Sequence, residues 1–455
     1  MDDADWAIHE FGAADLGDKR RTDRLVQLAT VLAQRPAASL PAACEDPAEL
    51  KGAYRLLENP AVAPAALLAP HVQATVERVQ RVPLVLAVQD TTDLDYSHHP
   101  ATTGLGPIGD GWGRGLLVHT TLAITPDRLP LGVLAQEDWT RDPEDSGKKH
   151  RRKQLPISEK ESHKWLTSLR EVKRWAAECP DTHFVSMGDA EADIYDLFAE
   201  PRPANVDLLV RAAYDRLVAP QASEDRLVRA QLGLLPVGYT TTVLVPRKGK
   251  QPARTAALAV RWQSFTLQPS KRAKQAGLGP VHLWAVWAVE VAAPAGVKGL
   301  DWLLWTSVPT TDQAAAAERL GWYTARWGIE VCQPHYPRTT GQRDVGSWDR
   351  NLPSCILTLI GARWNVPRGN GRRDAAAWPA SLAGDGVLVG VHPFDGGQDG
   401  AGTVADHLQA AFPGSRPQGG GRAVAEIVGS LVQCQQVSGI RQTGHGVGLL
   451  SAVAA

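Results

Sequence analysis

Three acidic residues, Asp90, Asp189 and Glu330, stand in the segments of this sequence best suited to chemistry. Asp90 follows the apolar run in VPLVLAVQDTTDLDY, Asp189 follows HFVSMG, and Glu330 closes YTARWGIE. Hard divalent cations take oxygen ligands, and three carboxylates can hold two Mg²⁺ ions about 3.5–4 Å apart, one activating an attacking oxygen and the other stabilising a leaving one. That is phosphodiester chemistry. Spacing alone leaves an alternative open, because strand-end aspartates also cap helices and turns.

The elements that would position these groups are legible as changes of hydrophobic period. Pro83 to Val88 is a short continuous apolar run, as expected of a strand buried on both faces, and it empties into Asp90. Thr121–Thr125 and Leu129–Trp139 follow as an antiparallel pair, a helix is expected from Glu159 to Cys179, and a second strand ends at Met187 just before Asp189. In YTARWGIE, Tyr323, Arg326 and Glu330 lie three and four apart, so on a helix they project within about 60° of one another. Pro334 and Pro337 then remove backbone donors and stop that helix.

Residues 1–80 read as a helical head, with an apolar stripe at Leu25, Leu28 and Leu32 beside Arg20, Arg21 and Arg24, and further helices at Pro47–Leu57 and Ala63–Val79. Residues 81–205 form the first part of an α/β core. Period-two alternation over 206–310, in Thr240–Pro246, Thr255–Leu267, His282–Ala292 and Asp301–Val308, reads as an antiparallel β insertion, after which 311–331 returns to the core as a helix. The texture changes at 332–455, which holds half of the 42 glycines, no lysine and one glutamate, Glu426.

Composition narrows the function classes. The chain has 455 residues, 44% hydrophobic and 21% charged, which fits a globular protein with two or three cores rather than a disordered or fibrous one. No apolar run approaches the roughly 20 residues of a membrane span and the acidic N-terminus lacks a signal-peptide pattern, so a cytoplasmic location is expected. Cys44, Cys179, Cys332, Cys355 and Cys434 have no zinc or disulfide spacing. With a net charge of −1, any nucleic-acid binding must come from local basic patches.

The segments QDTTDLDY, GDAEADIYDLF and YTARWGIE resemble the three catalytic segments of the DDE insertion-sequence transposases, the cut-and-paste, IS-four-like group with a Tyr-Arg-Glu-Lys signature. LGDKRRTDRL and GAYRLLEN are similar to that group's DNA-binding head, and GLLVHTTLA and SEKESHKW to its connecting segments. The resemblance runs in order through residues 1 to about 331. It implies a ribonuclease-H-like mixed sheet interrupted by a β insertion, with Asp90, Asp189 and Glu330 holding two Mg²⁺ ions, for which Mn²⁺ can substitute. It further implies that Tyr323 and Arg326 grip transposon-end phosphates, that Trp302 stacks on a base flipped from the duplex, and that Arg20, Arg21, Arg24, Tyr54, Arg55 and Arg211 contact the DNA end. The partners implied are double-stranded transposon ends, target DNA and a second copy of the chain.

The sequence departs from the family beyond Glu330. Pro337 stands where the signature has lysine, Ala190 follows Asp189 where arginine is common, and the family's C-terminal helices have no counterpart after Cys332. A reading-frame shift near the codons for Val331 to Gln333 accounts for both the lost lysine and the lysine-free tail, and it would remove the part that pairs two subunits in the family. Two function classes follow: a Mg²⁺-dependent transposase, active or inactivated, or a non-catalytic DNA-binding inhibitor of transposition. A nuclease of the same fold without preference for transposon ends is disfavoured by the head.

Overall fold

The computed structural model describes residues 3–35, 38, 40–98, 102–109, 111–145, 155–219, 225–245, 252–326 and 328–329. Glu330 and the whole of 332–455 lie outside them. Five helices open the chain: α1 (Asp3–Phe11), α2 (Lys19–Gln34), α3 (Leu40–Ala43), α4 (Pro47–Leu57) and α5 (Pro64–Val79). Asp18 and Asp46 cap α2 and α4 through their carboxylates, so both helices start where short acidic side chains satisfy the first free N–H groups. Trp6, Phe11, Leu25, Leu28, Leu32, Leu56 and Leu57 close a separate core for this head.

The rest is built on one large sheet. Its strands are β1 (Leu84–Asp95), β2 (Gly106–Ile108), β3 (Gly113–Ile124), β4 (Pro130–Trp139), β5 (His183–Gly188), β6 (Val206–Arg211), β7 (Tyr239–Val245), β8 (Arg254–Leu267), β9 (Val281–Glu290) and β10 (Asp301–Thr306). Among the described residues they run in the order β2-β3-β1-β5-β6-β10-β9-β8-β7, with β4 on the far side of β3. The three central strands β1, β5 and β6 are parallel and every other pairing is antiparallel. Helices α6 (Lys164–Glu178), α7 (Tyr195–Ala199), α8 (Val228–Gly233), α9 (Lys271–Gln275) and α10 (Gln313–Ala325) complete the fold.

The central strands are buried on both faces, as their unbroken apolar runs require. Val85, Ala87, Phe184, Leu208 and Val210 face α5 and α6, while Leu86, Val88, Val185, Met187 and Leu209 face α10. Two differences from the sequence reading matter for the site. The boundary at residue 205 divides what the sheet joins, because β6 pairs with β5 in parallel and so belongs to the core. The β insertion likewise extends the same sheet, entering it through β10 against β6. Its alternation was visible in the sequence, whereas its partner strand depends on contacts nearly a hundred residues apart.

Candidate active site

Register brings the two aspartates side by side. Val88 is opposite Met187 in the β1–β5 pair and Gly188 is opposite Val210 in the β5–β6 pair. Continued by two residues and by one, the same registers set Asp90 opposite Asp189 and Asp189 opposite Arg211, on strands about 4.8 Å apart. The period of two fixes their direction: Asp90 follows Val88, Asp189 follows Met187 and Arg211 follows Leu209, so all three share the face covered by α10. On the other side of β1, Thr120 is the partner of Asp90 and Gln136 the partner of Thr120. Gln136 Nε2 donates to Thr120 Oγ1 at 3.2 Å. One row of polar side chains thus crosses five strands at the carboxyl ends of the parallel ones.

The end of α10 lies over this row. Arg326, its C-cap, places Nη1 4.0 Å from Asp90 Oδ1, with 7% of the arginine side chain and 20% of the aspartate side chain exposed. Arg128, in the turn between β3 and β4, donates to Thr324 Oγ1 at 2.8 Å and so ties the last turn of α10 to the sheet. Asp189 caps the short helical turn that follows it: Oδ1 accepts from Glu191 N at 2.8 Å, and the other oxygen has no hydrogen bond among the described residues. Capping was the bland alternative for such an aspartate, and here a capping oxygen and a second, uncommitted one coexist in one residue.

Of the residues singled out in the sequence, Asp90, Asp189, Arg211, Trp302, Tyr323 and Arg326 therefore belong to one end and one face of the sheet. Glu330 is outside the described residues, and among those residues no group of three or more metal-binding side chains gathers. Two rings differ from expectation. Trp302 is 4% exposed and Tyr323 1%, packed edge to face with centroids 6.0 Å apart. Trp302 points inward because it shares the face of Leu304 in β10, so its indole fills core between the sheet and α10 instead of offering a stacking surface.

The basic residues of the head also separate by role. Arg20 is exposed and pairs with Asp18, whose carboxyl it holds down to about 2. Arg55 is exposed on α4. Arg21 donates to the carbonyl of Leu16 at 2.8 Å, and Tyr54 is half-buried against the head core. Arg24 lies flat on Gly52, where a Cβ would stand 2.6 Å from the guanidinium carbon, and it donates to Gln27 Oε1. That glycine lets α2 and α4 approach, and Arg24 serves packing as much as charge.

The junction between head and sheet has no signature in the sequence. Glu10 of α1 is 1% exposed and accepts from His71 Nδ1 at 2.7 Å and from Arg78 Nη1 at 2.5 Å, both on α5. Burial alone would raise its pKa, but the hydrogen bonds from His71 and Arg78 and the charge of Arg78 outweigh that and hold it below the usual range. His71 Nε2 accepts from Val133 N and Arg78 Nε donates to Leu131 O, so the same two side chains grip β4. Gly132 between them has φ of 136° and a Cβ there would meet Thr75 Oγ1 at 2.1 Å, which leaves only glycine for this approach.

A second polar group lies behind the carboxylates, on the face of α6. Gln89 Nε2 donates to Ser186 Oγ at 2.7 Å, and His119 sits 2.8 Å from Thr91 Oγ1 and 3.4 Å from Gln89 Oε1. Burial, with Lys164 nearby, pushes the His119 pKa down to about 3. Lys164 is 7% exposed, lies over the rings of Trp139 and Trp165, and reaches Glu191 at 3.5 Å. The only sequence signal was a lone histidine inside the apolar run GLLVHTTLA.

Residues 3–62 match the family model described as transposase DNA-binding. Among solved structures, the chain is similar to the protein in a cryo-EM structure of a piggyBac transposase synaptic complex with hairpin DNA. The identity is 10% and the TM-score 0.30, over 80% of this chain and 66% of that one, too slight a likeness to bear on fold or function. No described helix is long and apolar enough to cross a membrane.

Proposed function

We propose that this chain is a DNA transposase that cuts and joins phosphodiesters at transposon ends with divalent metal ions, on a ribonuclease-H-like core. The observation that carries the reading is the parallel β1–β5 register, which ends at Val88 opposite Met187 and, continued by two residues, sets Asp90 opposite Asp189, with Arg326 beside Asp90. The strand order β4-β3-β1-β5-β6, an antiparallel three-strand run joined to two parallel strands, supports the ribonuclease-H-like assignment. The match of residues 3–62 supports DNA as the partner.

The donor set suits a hard cation: two carboxylates in one row, one with an oxygen uncommitted among the described residues. Asp90 and Asp189 would hold the metal, with Glu330 from the sequence as third ligand. Bound there, Mg²⁺ supplies Lewis-acid polarisation of the phosphoryl oxygens and lowers the pKa of the attacking water or 3′ hydroxyl. The protein's own part is positioning. Arg326 and Arg211 supply fixed positive charge beside the row, and guanidinium forks match phosphate oxygens two at a time. Arg128 holds the turn that carries Arg326 against β3 and β4. The exposed Arg20 and Arg55 would add phosphate contacts that fix the orientation of the DNA without reading its sequence.

A duplex carrying the element's own terminal sequence tests the reading in one assay. The transposase nicks it in Mg²⁺ and stops doing so in chelator. Retardation without any nicking, in Mg²⁺ or Mn²⁺, would instead identify a non-catalytic inhibitor of transposition that has kept the head, and equal nicking of unrelated duplex would identify a nuclease.

A further inference from the structure

The two residues that flank Asp90 in the chain point to the opposite face of the sheet, and a single buried imidazole meets both. Asp90 itself faces α10, whereas Gln89 and Thr91 face α6, as strand alternation requires. His119, on the neighbouring strand β3 and paired with Thr91, lies 2.8 Å from Thr91 Oγ1 through Nδ1 and 3.4 Å from Gln89 Oε1 through Nε2. Gln89 spends its amide N–H on Ser186 Oγ at 2.7 Å, three residues before Asp189 on β5. With Gln89 so oriented, its oxygen accepts from His119 Nε2–H, and Nδ1 accepts the hydroxyl proton of Thr91. Both ring nitrogens of His119 then have a partner. His119, Gln89 and Ser186 are each no more than 2% exposed, and Trp165 of α6 packs edge-on against the imidazole at 4.7 Å.

We infer that His119 is a positioning residue for the carboxylate pair, a neutral staple that fixes β1 on both sides of Asp90 and, through Gln89 and Ser186, locks β1 to β5 so that Asp90 and Asp189 stay in register. It touches no reacting atom. A strand end is where pairing frays, and β5 stops at Gly188, just short of Asp189. The side-chain bond from Gln89 to Ser186 carries the β1–β5 connection past the last paired residues, and His119 braces Gln89 and Thr91 from β3, whose ladder with β1 runs on to Asp95. This inference rests on the metal-binding reading of Asp90 and Asp189.

Mn²⁺ binding to the full chain, read by electron paramagnetic resonance without DNA, separates the two. His119→Leu keeps the volume and removes both bonds, and it should weaken Mn²⁺ binding about 10–100-fold, the usual effect of an outer-shell partner, with the far-UV circular dichroism unchanged. His119→Gln, whose amide can accept from Thr91 and donate to Gln89, should restore most of the affinity. Should His119→Leu fail to fold, Thr91→Val cuts one arm at a half-buried site and is expected to weaken binding several-fold, with His119→Gln as the rescue control. Wild-type-like binding in Thr91→Val and in a folded His119→Leu overturns the staple and leaves the metal site standing. Absence of Mn²⁺ binding in the wild type, or binding untouched by Asp189→Asn, overturns the metal reading and the staple together.

Discussion

The two faces of the sheet at the carboxyl ends of β1, β5 and β6 are organised on opposite principles. Toward α10 the row carries formal charge, with Asp90, Asp189 and Arg211 in line and Arg326 above, and hydrogen bonds that leave at least one carboxylate oxygen uncommitted among the described residues. Toward α6 the same strands, with β3, carry Gln89, Thr91, His119 and Ser186, a neutral network joined by three hydrogen bonds. Buried charge is costly unless it is met, and buried neutral polar groups are stable when satisfied. The unmet side is thus where an external ion or phosphate has something to gain, and the satisfied side is what holds it in shape.

Breaking the charged face should give the largest effect. Asp90→Asn or Asp189→Asn removes a ligand charge at nearly constant volume, and nicking of a terminal duplex should fall by at least about 10³-fold while the melting temperature moves little, since several kcal/mol of transition-state stabilisation are lost. A fall in activity matched by a fall in melting temperature would mean that the aspartates are structural caps.

The head junction should respond in stability instead. Glu10→Ala leaves Arg78 partly buried without its carboxylate and His71 without its acceptor, which should cost about 3 kcal/mol in denaturant unfolding. A smaller effect separates the faces by pH. His119 has its pKa depressed to about 3 against about 6.5 in the unfolded chain, so the unfolded state binds the extra proton. Its contribution to stability is complete above about pH 6.5 and declines as pH falls toward 3. His119→Gln should flatten that part of the stability curve in metal-free buffer, and an unchanged slope would show that other groups carry it. The smallest effect belongs to the head's surface: Arg20→Ala should lower the salt dependence of DNA retardation by about one counterion.

How much of this was legible in the sequence depends on the range of the contacts involved. The helices at Pro47–Leu57 and Pro64–Val79 and strands β4, β7, β8, β9 and β10 follow from period, caps and apolar runs, which are local. So does the position of Asp189 just past the end of β5, whereas Asp90, expected at the end of its strand, lies inside β1, which continues to Asp95 in its pairing with β3. Their alignment is not local, since it depends on β1 and β5 pairing across a hundred residues with no slip, and a one-residue slip would turn one aspartate to the other face. Trp302 shows the limit from the other side: alternation places it on a face but cannot say that α10 covers that face. His119, Arg128 and the Glu10–His71–Arg78 group were invisible because a lone polar residue in a sequence does not reveal its partner. β6 follows residue 205 in the chain yet pairs in parallel with β5, and that partner, like the others, is not a local property of the sequence.

Site-directed oxidation tests the charged face most directly. Fe²⁺ substituted for Mg²⁺, with ascorbate and peroxide, cuts a polypeptide backbone beside the bound ion. The account predicts two cuts in the folded chain, one near residue 90 and one near residue 189, both suppressed by excess Mg²⁺ and both lost in Asp189→Asn. Cuts confined to other segments, or cuts at these positions that Mg²⁺ does not suppress, would contradict a shared metal site.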